Sequence, residues 1–327
     1  MRLLVTGGAG YIGAVVARRL REAGHQAVIV DDLSTGHREA VAGFDLTVGD
    51  FGDRRLIAEL VAAHKIDGAI HLAASALVGE SVQNPARYYR NNLERSLALL
   101  DVLRERQVPR LLFSSTAAVY GDPVAIPIDE RHPTRPTSPY GETKLGFETA
   151  LHWYHAAHGV AFVALRYFNA AGATGDGQLG EVHDPETHLV PNVLRAALTS
   201  EAVPVFGTDY ATHDGTAVRD YIHVEDLADA HVRALERLET TGGGSVFNLG
   251  NGAGFSVMQV IEAARRVTGR PIPVRKGPRR PGDPETLVAS SDRARRELGW
   301  SPRYSDLEAI LETAWRFARA HPDGYRS

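Results

Sequence analysis

The sequence contains no cysteine. Disulfides, thiol nucleophiles and thiolate metal sites are therefore excluded. No apolar run approaches the ~20 residues that a membrane-spanning helix needs. The run that opens at Leu3 stops at Gly7, too short for a signal peptide. Excess positive charge is missing too: the net charge is -4, and the densest basic stretch, Arg275-Lys-Gly-Pro-Arg-Arg280, is broken by Gly and Pro. That pattern argues against a nucleic-acid surface and suits a local anion site or a solvated loop. The 14 histidines include no H-E-x-x-H or comparable spacing, so no metal is expected. Ser114 and Ser115 lack a G-x-S-x-G elbow, which argues against a serine nucleophile. A soluble, cytoplasmic protein is expected. Its 327 residues, 43% hydrophobic and 23% charged, suffice for one large α/β unit or two domains.

What is present alternates. Leu3-Leu-Val5 reads as a buried strand, then come Thr6-Gly-Gly-Ala-Gly-Tyr-Ile-Gly13 and a helix that Gly24 can stop. Ala27-Val-Ile-Val30 is a second strand and ends in Asp31-Asp32. Strand, glycine loop, helix, strand, acid is the order of a dinucleotide site. Gly7, Gly10 and Gly13 let the chain turn and let a pyrophosphate approach amides at a helix N-terminus. The Asp31 carboxylate can accept from a ribose diol and repels a 2′-phosphate, which selects NAD over NADP. Asp50-Phe51 can flank an adenine or can simply be a strand end and its turn. Further strands are read at Ala69–Leu72, Arg110–Phe113 and Ala161–Leu165, with a long helix after Pro85 whose Leu93, Leu97, Leu100 and Leu103 form one stripe. Together these imply a doubly wound parallel sheet of Rossmann type, with a smaller C-terminal α/β lobe. The expected division is 1–170 for the nucleotide domain and 171–327 for the second lobe, with a segment near 216–240 returning to the first. Residues 172–187 read as a long loop of a functional kind.

In Ser138-Pro-Tyr-Gly-Glu-Thr-Lys144, Pro139 suits a first helical turn, and Tyr140 and Lys144 lie one turn apart on one face. An ammonium there is expected to favour the phenolate and make the pair a general base near neutral pH. Thr116 follows a strand at the sheet's carboxyl edge, where its hydroxyl can reach a substrate oxygen beside Tyr140 or can cap the loop.

Gly7 to Gly13, Asp31, Ser114-Ser-Thr116 and Tyr140 to Lys144 together resemble the extended short-chain dehydrogenase/reductases. Val78-Gly-Glu-Ser-Val82, Arg166-Tyr-Phe-Asn169, Asp209 through Val224 and Arg280-Pro-Gly-Asp283 resemble the UDP-glucose 4-epimerase family within them, over essentially the whole chain. The resemblance implies bound NAD, a UDP-sugar substrate and epimerisation at C4 through a 4-keto sugar. It assigns Tyr140 as base and acid, Lys144 as its tuner and a ribose ligand, and Thr116 as the hydroxyl facing the sugar. Tyr11, Ile12, Asn91, Ser114 and Tyr167 would join the glycines, Asp31, Asp50 and Phe51 around the cofactor. Asn169, His188, Leu189, Phe206, Arg219, Arg280 and Asp283 would hold the UDP part, the arginines suiting a diphosphate and the carboxylate a ribose. Helices near 85–106 and 140–158 would pair in a homodimer. Family members often carry Ser at the Thr116 position, and some carry lysine at the Ala76 position, where this chain lacks one cofactor contact. A related 4,6-dehydratase would carry an acidic pair after Thr116, where Ala117-Ala118 stand. Action on another UDP-sugar (UDP-N-acetylglucosamine or UDP-glucuronate), with Leu287 at the pocket's limiting position, and a non-catalytic NAD sensor are the competing readings.

Overall fold

Apolar runs bounded by turn residues become parallel strands buried on both faces. A computed structural model describes residues 1–280 and 284–325. Its first half runs β1 (Arg2–Thr6), α1 (Tyr11–Glu22), β2 (Gln26–Asp31), β3 (Asp45–Val48), α2 (Arg54–His64) and β4 (Gly68–His71). It continues through α3 (Val78–Gln83), α4 (Pro85–Tyr88), α5 (Arg95–Glu105), β5 (Arg110–Thr116), α6 (Pro139–His158) and β6 (Ala161–Tyr167). The second half begins with β7 (Asn169–Ala171), α7 (Leu189–Thr199), β8 (Val203–Phe206), β9 (Val218–His223), α8 (Val224–Thr241) and β10 (Gly244–Leu249). The chain ends with β11 (Gly254–Ser256), α9 (Val257–Thr268), β12 (Val274–Gly277), β13 (Thr286–Leu287), α10 (Asp292–Leu298) and α11 (Leu307–Ala320).

Seven strands make one parallel sheet in the order β10-β6-β5-β4-β1-β2-β3. This is the expected doubly wound arrangement, and its order reverses between β1 and β4. Thr6 there faces Val30 of β2 on one side and His71 of β4 on the other. A crevice opens at the carboxyl ends of strands at such a point. One face of the sheet is covered by α1 and α8, through Val16, Leu20, Leu227 and Leu235. The other is covered by α2, α5 and α6, through Ile57, Leu99, Leu103, Phe147 and Leu151. A third apolar cluster, with Val193, Ile261, Ile310 and Leu311, joins α7, α9 and α11 over the smaller sheets. Those are β11-β9-β13, with β7 paired to β9, and the β8–β12 pair.

Two expectations change in detail. The return near 216–240 straddles two layers: β9 pairs within the smaller sheet, and only α8 and β10 lie on the large one. The leucine stripe is also divided. A π-turn over Tyr89–Glu94 inserts an extra residue per turn and rotates the face that follows. Leu100 and Leu103 enter the core, whereas Leu93 and Leu97 only pack at its edge. Among the described residues no helix is long and apolar enough to cross a membrane.

Local signals set the site-bearing helix. Ser138 caps α6 by accepting from the Gly141 amide at 3.2 Å, Pro139 occupies the first turn, and Gly159 ends the helix at φ 70°. The 20 residues between carry Tyr140, Lys144 and Glu148 down one side.

Candidate active site

The glycines differ in what they do. Gly7 has φ +72°, and a Cβ there would come within 2.5 Å of the Ala73 amide nitrogen. It must be glycine so that β1 and the chain leaving β4 can lie together at the point of strand reversal. A Cβ on Gly13 would meet the Gly7 carbonyl oxygen at 2.1 Å, so the third glycine lets α1 approach the loop. Gly10 is different. It is the N-cap of α1 with ordinary φ -75°, and a Cβ there would find nothing nearer than the Gly7 oxygen at 3.5 Å. Packing does not require glycine at this position. The cap offers the first-turn amides no side-chain acceptor, and that turn holds no acid. Such a cradle fits a dinucleotide pyrophosphate.

Asp31 braces this loop from the end of β2. Its Oδ2 accepts from the Ala9 amide and its Oδ1 from the Leu33 amide, both at 2.9 Å. Burial raises its carboxyl above the ordinary range, and the two amides oppose that shift. Tyr11 donates its hydroxyl to the Gly172 carbonyl at 2.7 Å, tying the loop to the second lobe, while Ile12 packs on the core beneath. Asp50 lies in the turn after β3, accepting from the Gly52 amide at 2.8 Å. Phe51 is buried in the core against His71, ring centroids 5.0 Å apart. Arg95 links two expected cofactor positions: it lies 3.1 Å from Asp50 and donates to Asn91 at 3.0 Å. Buried Asn92 clamps the loop that carries Ala76, accepting from the Ser75 amide and donating to its carbonyl, both at 2.8 Å. No sequence signal marks Arg95 or Asn92, because Asp50 and Ser75, which give them their roles, are distant in the chain.

Tyr140, Thr116 and Lys144 do come together. The Thr116 hydroxyl accepts from the Ala118 amide at 3.1 Å, capping the loop, and it lies near enough to Tyr140 to favour the phenolate. Lys144 is 3% exposed; its Nζ donates to the Ser114 carbonyl at 2.8 Å and lies 4.9 Å from the Phe113 ring centre. The expected lowering of the phenol by the lysine is not what these groups produce. Burial raises Tyr140, and only the Thr116 hydroxyl opposes it. Burial also pulls the Lys144 ammonium down to about 7, against the pull of Glu148. Spacing supplied the proximity, and desolvation decided the charge.

Behind the lysine lies a buried ion pair that the spacing rules did not reveal. Glu148 receives Arg166 Nε at 3.0 Å and Nη2 at 2.6 Å, and the Ser115 hydroxyl also donates to it. Arg166 further donates to Tyr120, whose hydroxyl donates to Asn248 at 2.6 Å. The one available signal was Glu148 standing one further turn along the Tyr140–Lys144 face. Tyr167 is buried with its hydroxyl against His231, so its side chain is committed to the core.

The residues expected to hold UDP lie in the second lobe. Arg280 sits over the Phe206 ring with its guanidinium carbon 4.1 Å from the centroid, bringing that pair together. Arg219 on β9 donates to the Val218 carbonyl at 2.7 Å and is opposite Leu287 of β13. Asn169 opens β7 and is exposed. His188 caps α7, whose first residue is Leu189. Asp283 lies outside the described residues. The lobe's framework depends on buried Asp220, which accepts from the amides of Asn251, Gly252 and Ala289 at 2.7–3.0 Å.

A parallel sheet with a glycine cradle at its strand reversal, and a Tyr-Lys helix beside a hydroxyl at its carboxyl edge, define a dinucleotide-dependent enzyme of the short-chain dehydrogenase/reductase type. Residues 3–250 match the NAD dependent epimerase/dehydratase family, and the chain belongs to it. It is 52% identical over 326 residues to the UDP-glucose 4-epimerase of Halalkalibacterium halodurans, covering 99% of this chain and 98% of that one. It superposes on a UDP-glucose 4-epimerase crystal structure with TM-score 0.97 at 46% identity, covering both chains fully (100% each). The Bifidobacterium longum UDP-glucose 4-epimerase in complex with NAD+ and UDP superposes with TM-score 0.95 at 38% identity, over 99% of this chain and 100% of that one.

The glycine contrast is testable. Gly13→Ala should lower Tm, since overpacking against backbone costs about 1–3 kcal/mol. Gly10→Ala should leave Tm of the cofactor-free protein unchanged and weaken NAD binding at least tenfold by calorimetry. Equal effects of both substitutions on stability would contradict the cradle.

Proposed function

We infer that the chain catalyses NAD-dependent epimerisation at C4 of a UDP-hexose, converting UDP-galactose and UDP-glucose through a transient 4-keto sugar. The observation that carries this reading is buried Lys144, held on the Ser114 carbonyl one turn from Tyr140 and beside Thr116, at the carboxyl edge of a sheet whose strand reversal holds the glycine cradle. Bound NAD+ supplies a hydride acceptor and donor for C4 and a positive ring. Gly7, Gly10, Gly13, Asp31 and Asn91 would hold it, with the main chain at Tyr11, Ile12, Asp50, Phe51 and Tyr167 lining the pocket. Lys144 contributes a donor to the ribose beside its Ser114 carbonyl contact. Tyr140 receives the 4-hydroxyl proton as base and returns it as acid. Its phenol, raised by burial, needs positive charge nearby to ionise, and a protonated Lys144 one turn away supplies part of it. Thr116 orients the sugar oxygen towards the phenol.

Arg219, Arg280, Phe206, His188, Leu189, Asn169 and Asp283 are the proposed UDP anchors. A sugar held by its nucleotide can turn in the pocket and present its other face without leaving. Elimination of water is disfavoured because Ala117 and Ala118 follow Thr116, and no carboxylate stands where a dehydratase would keep one. A purely sensing role is disfavoured because Tyr140, Lys144 and Thr116 are all retained. The cytoplasm, where NAD and nucleotide sugars are available, is the inferred location.

We also infer a homodimer. Gly146 of α6 faces Leu93, whose methyls a Cβ there would meet at 3.5 Å, and Trp153, 71% exposed, lies two turns further along that face. Tyr89 (43% exposed) with partly buried Leu93 and Leu97 borders an open groove of about 510 Å³ beside α5. An apolar face of this kind across two helices suits a two-fold four-helix contact.

Purified protein incubated with UDP-galactose and no added NAD should form UDP-glucose, read by chromatography of the nucleotide sugars; no conversion even with NAD supplied would contradict the function. Tyr140→Phe should lower turnover by about 10²–10⁴-fold with NAD content unchanged. Lys144→Ala should lower both NAD content and rate. Light scattering should give twice the chain mass, and Leu93→Glu with Trp153→Glu should give a monomer; a wild-type monomer would remove the dimer.

A further inference from the structure

The long loop between β7 and α7 gathers four side chains that neither the cofactor nor the sugar reading uses as a group. Glu181, His183, Glu186 and His188 each bring one nitrogen or oxygen atom to within 4.8 Å of the others. His188 Nδ1 lies 2.8 Å from Glu181 Oε1 and 3.2 Å from Glu186 Oε1. His183 Nδ1 lies 3.4 Å from Glu181 Oε1 and 3.5 Å from Glu186 Oε2. Each imidazole therefore faces both carboxylates. Hydrogen bonds place Glu186 on His188 and on the Thr187 and His188 amides, but they do not account for His183, whose Nδ1 is buried and makes none.

A shared ion does account for it. In a tetrahedral site with bonds of about 2.0–2.1 Å, neighbouring ligand atoms are about 3.3–3.4 Å apart. Three of the four nitrogen–oxygen separations fall at 3.2–3.5 Å and the fourth is shorter, with Glu186 meeting His183 through Oε2 and His188 through Oε1. We propose that Glu181, His183, Glu186 and His188 form a closed, four-ligand site for a divalent transition cation of the zinc class. Two imidazoles and two carboxylates suit zinc, whereas calcium and magnesium seek six or more oxygens or keep several waters. Four protein ligands leave no open position for a reacting water, so the site is structural.

One dication balances the two carboxylates, with both imidazoles neutral as ligands. The location gives the site its purpose. His188 is the cap of α7, the Val182 carbonyl lies 3.2 Å from His37 Nε2, and Glu181 and Glu186 act on the Tyr11 phenol beside the glycine cradle. A cation here would fasten the loop between the nucleotide sheet and the lobe bearing the proposed UDP anchors. Ligation through Nδ1 leaves the His188 Nε2–H to donate elsewhere. No familiar motif marks the site, because Glu-x-His-x-x-Glu-x-His lies on a loop and matches none of the helical zinc spacings.

The test uses the full chain, chelator-treated and then dialysed against zinc or cobalt with magnesium and calcium as controls. Elemental analysis should give close to one zinc per chain, cobalt should give the intense visible bands of a tetrahedral site, and zinc should raise Tm. His183→Gln and Glu186→Gln should abolish the bound metal while the far-ultraviolet dichroism stays that of the wild type. The wild-type measurement stands even if a variant misfolds. Zinc below about a tenth per chain with no cobalt band, leaving only an ion-pair cluster, would overturn the proposal. So would binding of magnesium or calcium as strong as that of zinc.

Discussion

The buried amine of Lys144 is the constraint on which the rest of the site depends. It stands in an apolar wall, donates to the Ser114 carbonyl and lies over Phe113, so its position fixes α6 against the end of β5. Burying an ammonium disfavours its charge, and the nearby Glu148 carboxylate restores part of it. Glu148 in turn is held by Arg166 from β6 and by Ser115 from β5. Removing one partner of such a pair leaves an uncompensated buried charge, at about 3–5 kcal/mol. The ion pair thus ties one helix to two adjacent strands at the edge where Thr116 and Tyr140 meet. It continues through Tyr120 to Asn248 on β10, the strand that the chain adds only after its excursion into the second lobe.

The cofactor cradle rests on a different constraint, close approach of backbone. Gly7 and Gly13 are there for the protein's own packing, and Gly10 leaves room that the protein does not fill. Asp31 serves both the chain and, in the proposed function, the ribose: it ties down the Ala9 amide while standing at the end of β2. Tyr11 and the loop before α7 connect this cradle to the second lobe, so cofactor and sugar anchors are joined by contacts away from the reacting atoms.

Much of this was legible in the sequence because it is local. Alternating buried strands and helices, the glycine loop and the Ser138-Pro139 start of α6 act within a few residues. The spacing of Tyr140 and Lys144 gave their shared face. What it could not give was burial, which raises the phenol and lowers the amine, opposite in effect to the simple charge argument for Tyr140. The ion pair of Glu148 with Arg166, the Asp220 hub and the Arg95 link between Asp50 and Asn91 each join residues far apart in the chain, and no periodicity announces them. The π-turn at Tyr89–Glu94 is a backbone event without a residue signature, and it divided a leucine stripe that looked continuous.

The central claim is that hydrogen leaves C4 and returns to it within one closed site, with only the hydroxyl proton passing through Tyr140. The direct measurement is conversion of UDP-galactose carrying deuterium at C4, in ordinary water, with mass analysis of the UDP-glucose formed. The account predicts that the label remains at C4 of the product and that unlabelled substrate in deuterated water gains none on carbon. Loss of the label to solvent would contradict it, because it would mean that C4 is deprotonated rather than oxidised.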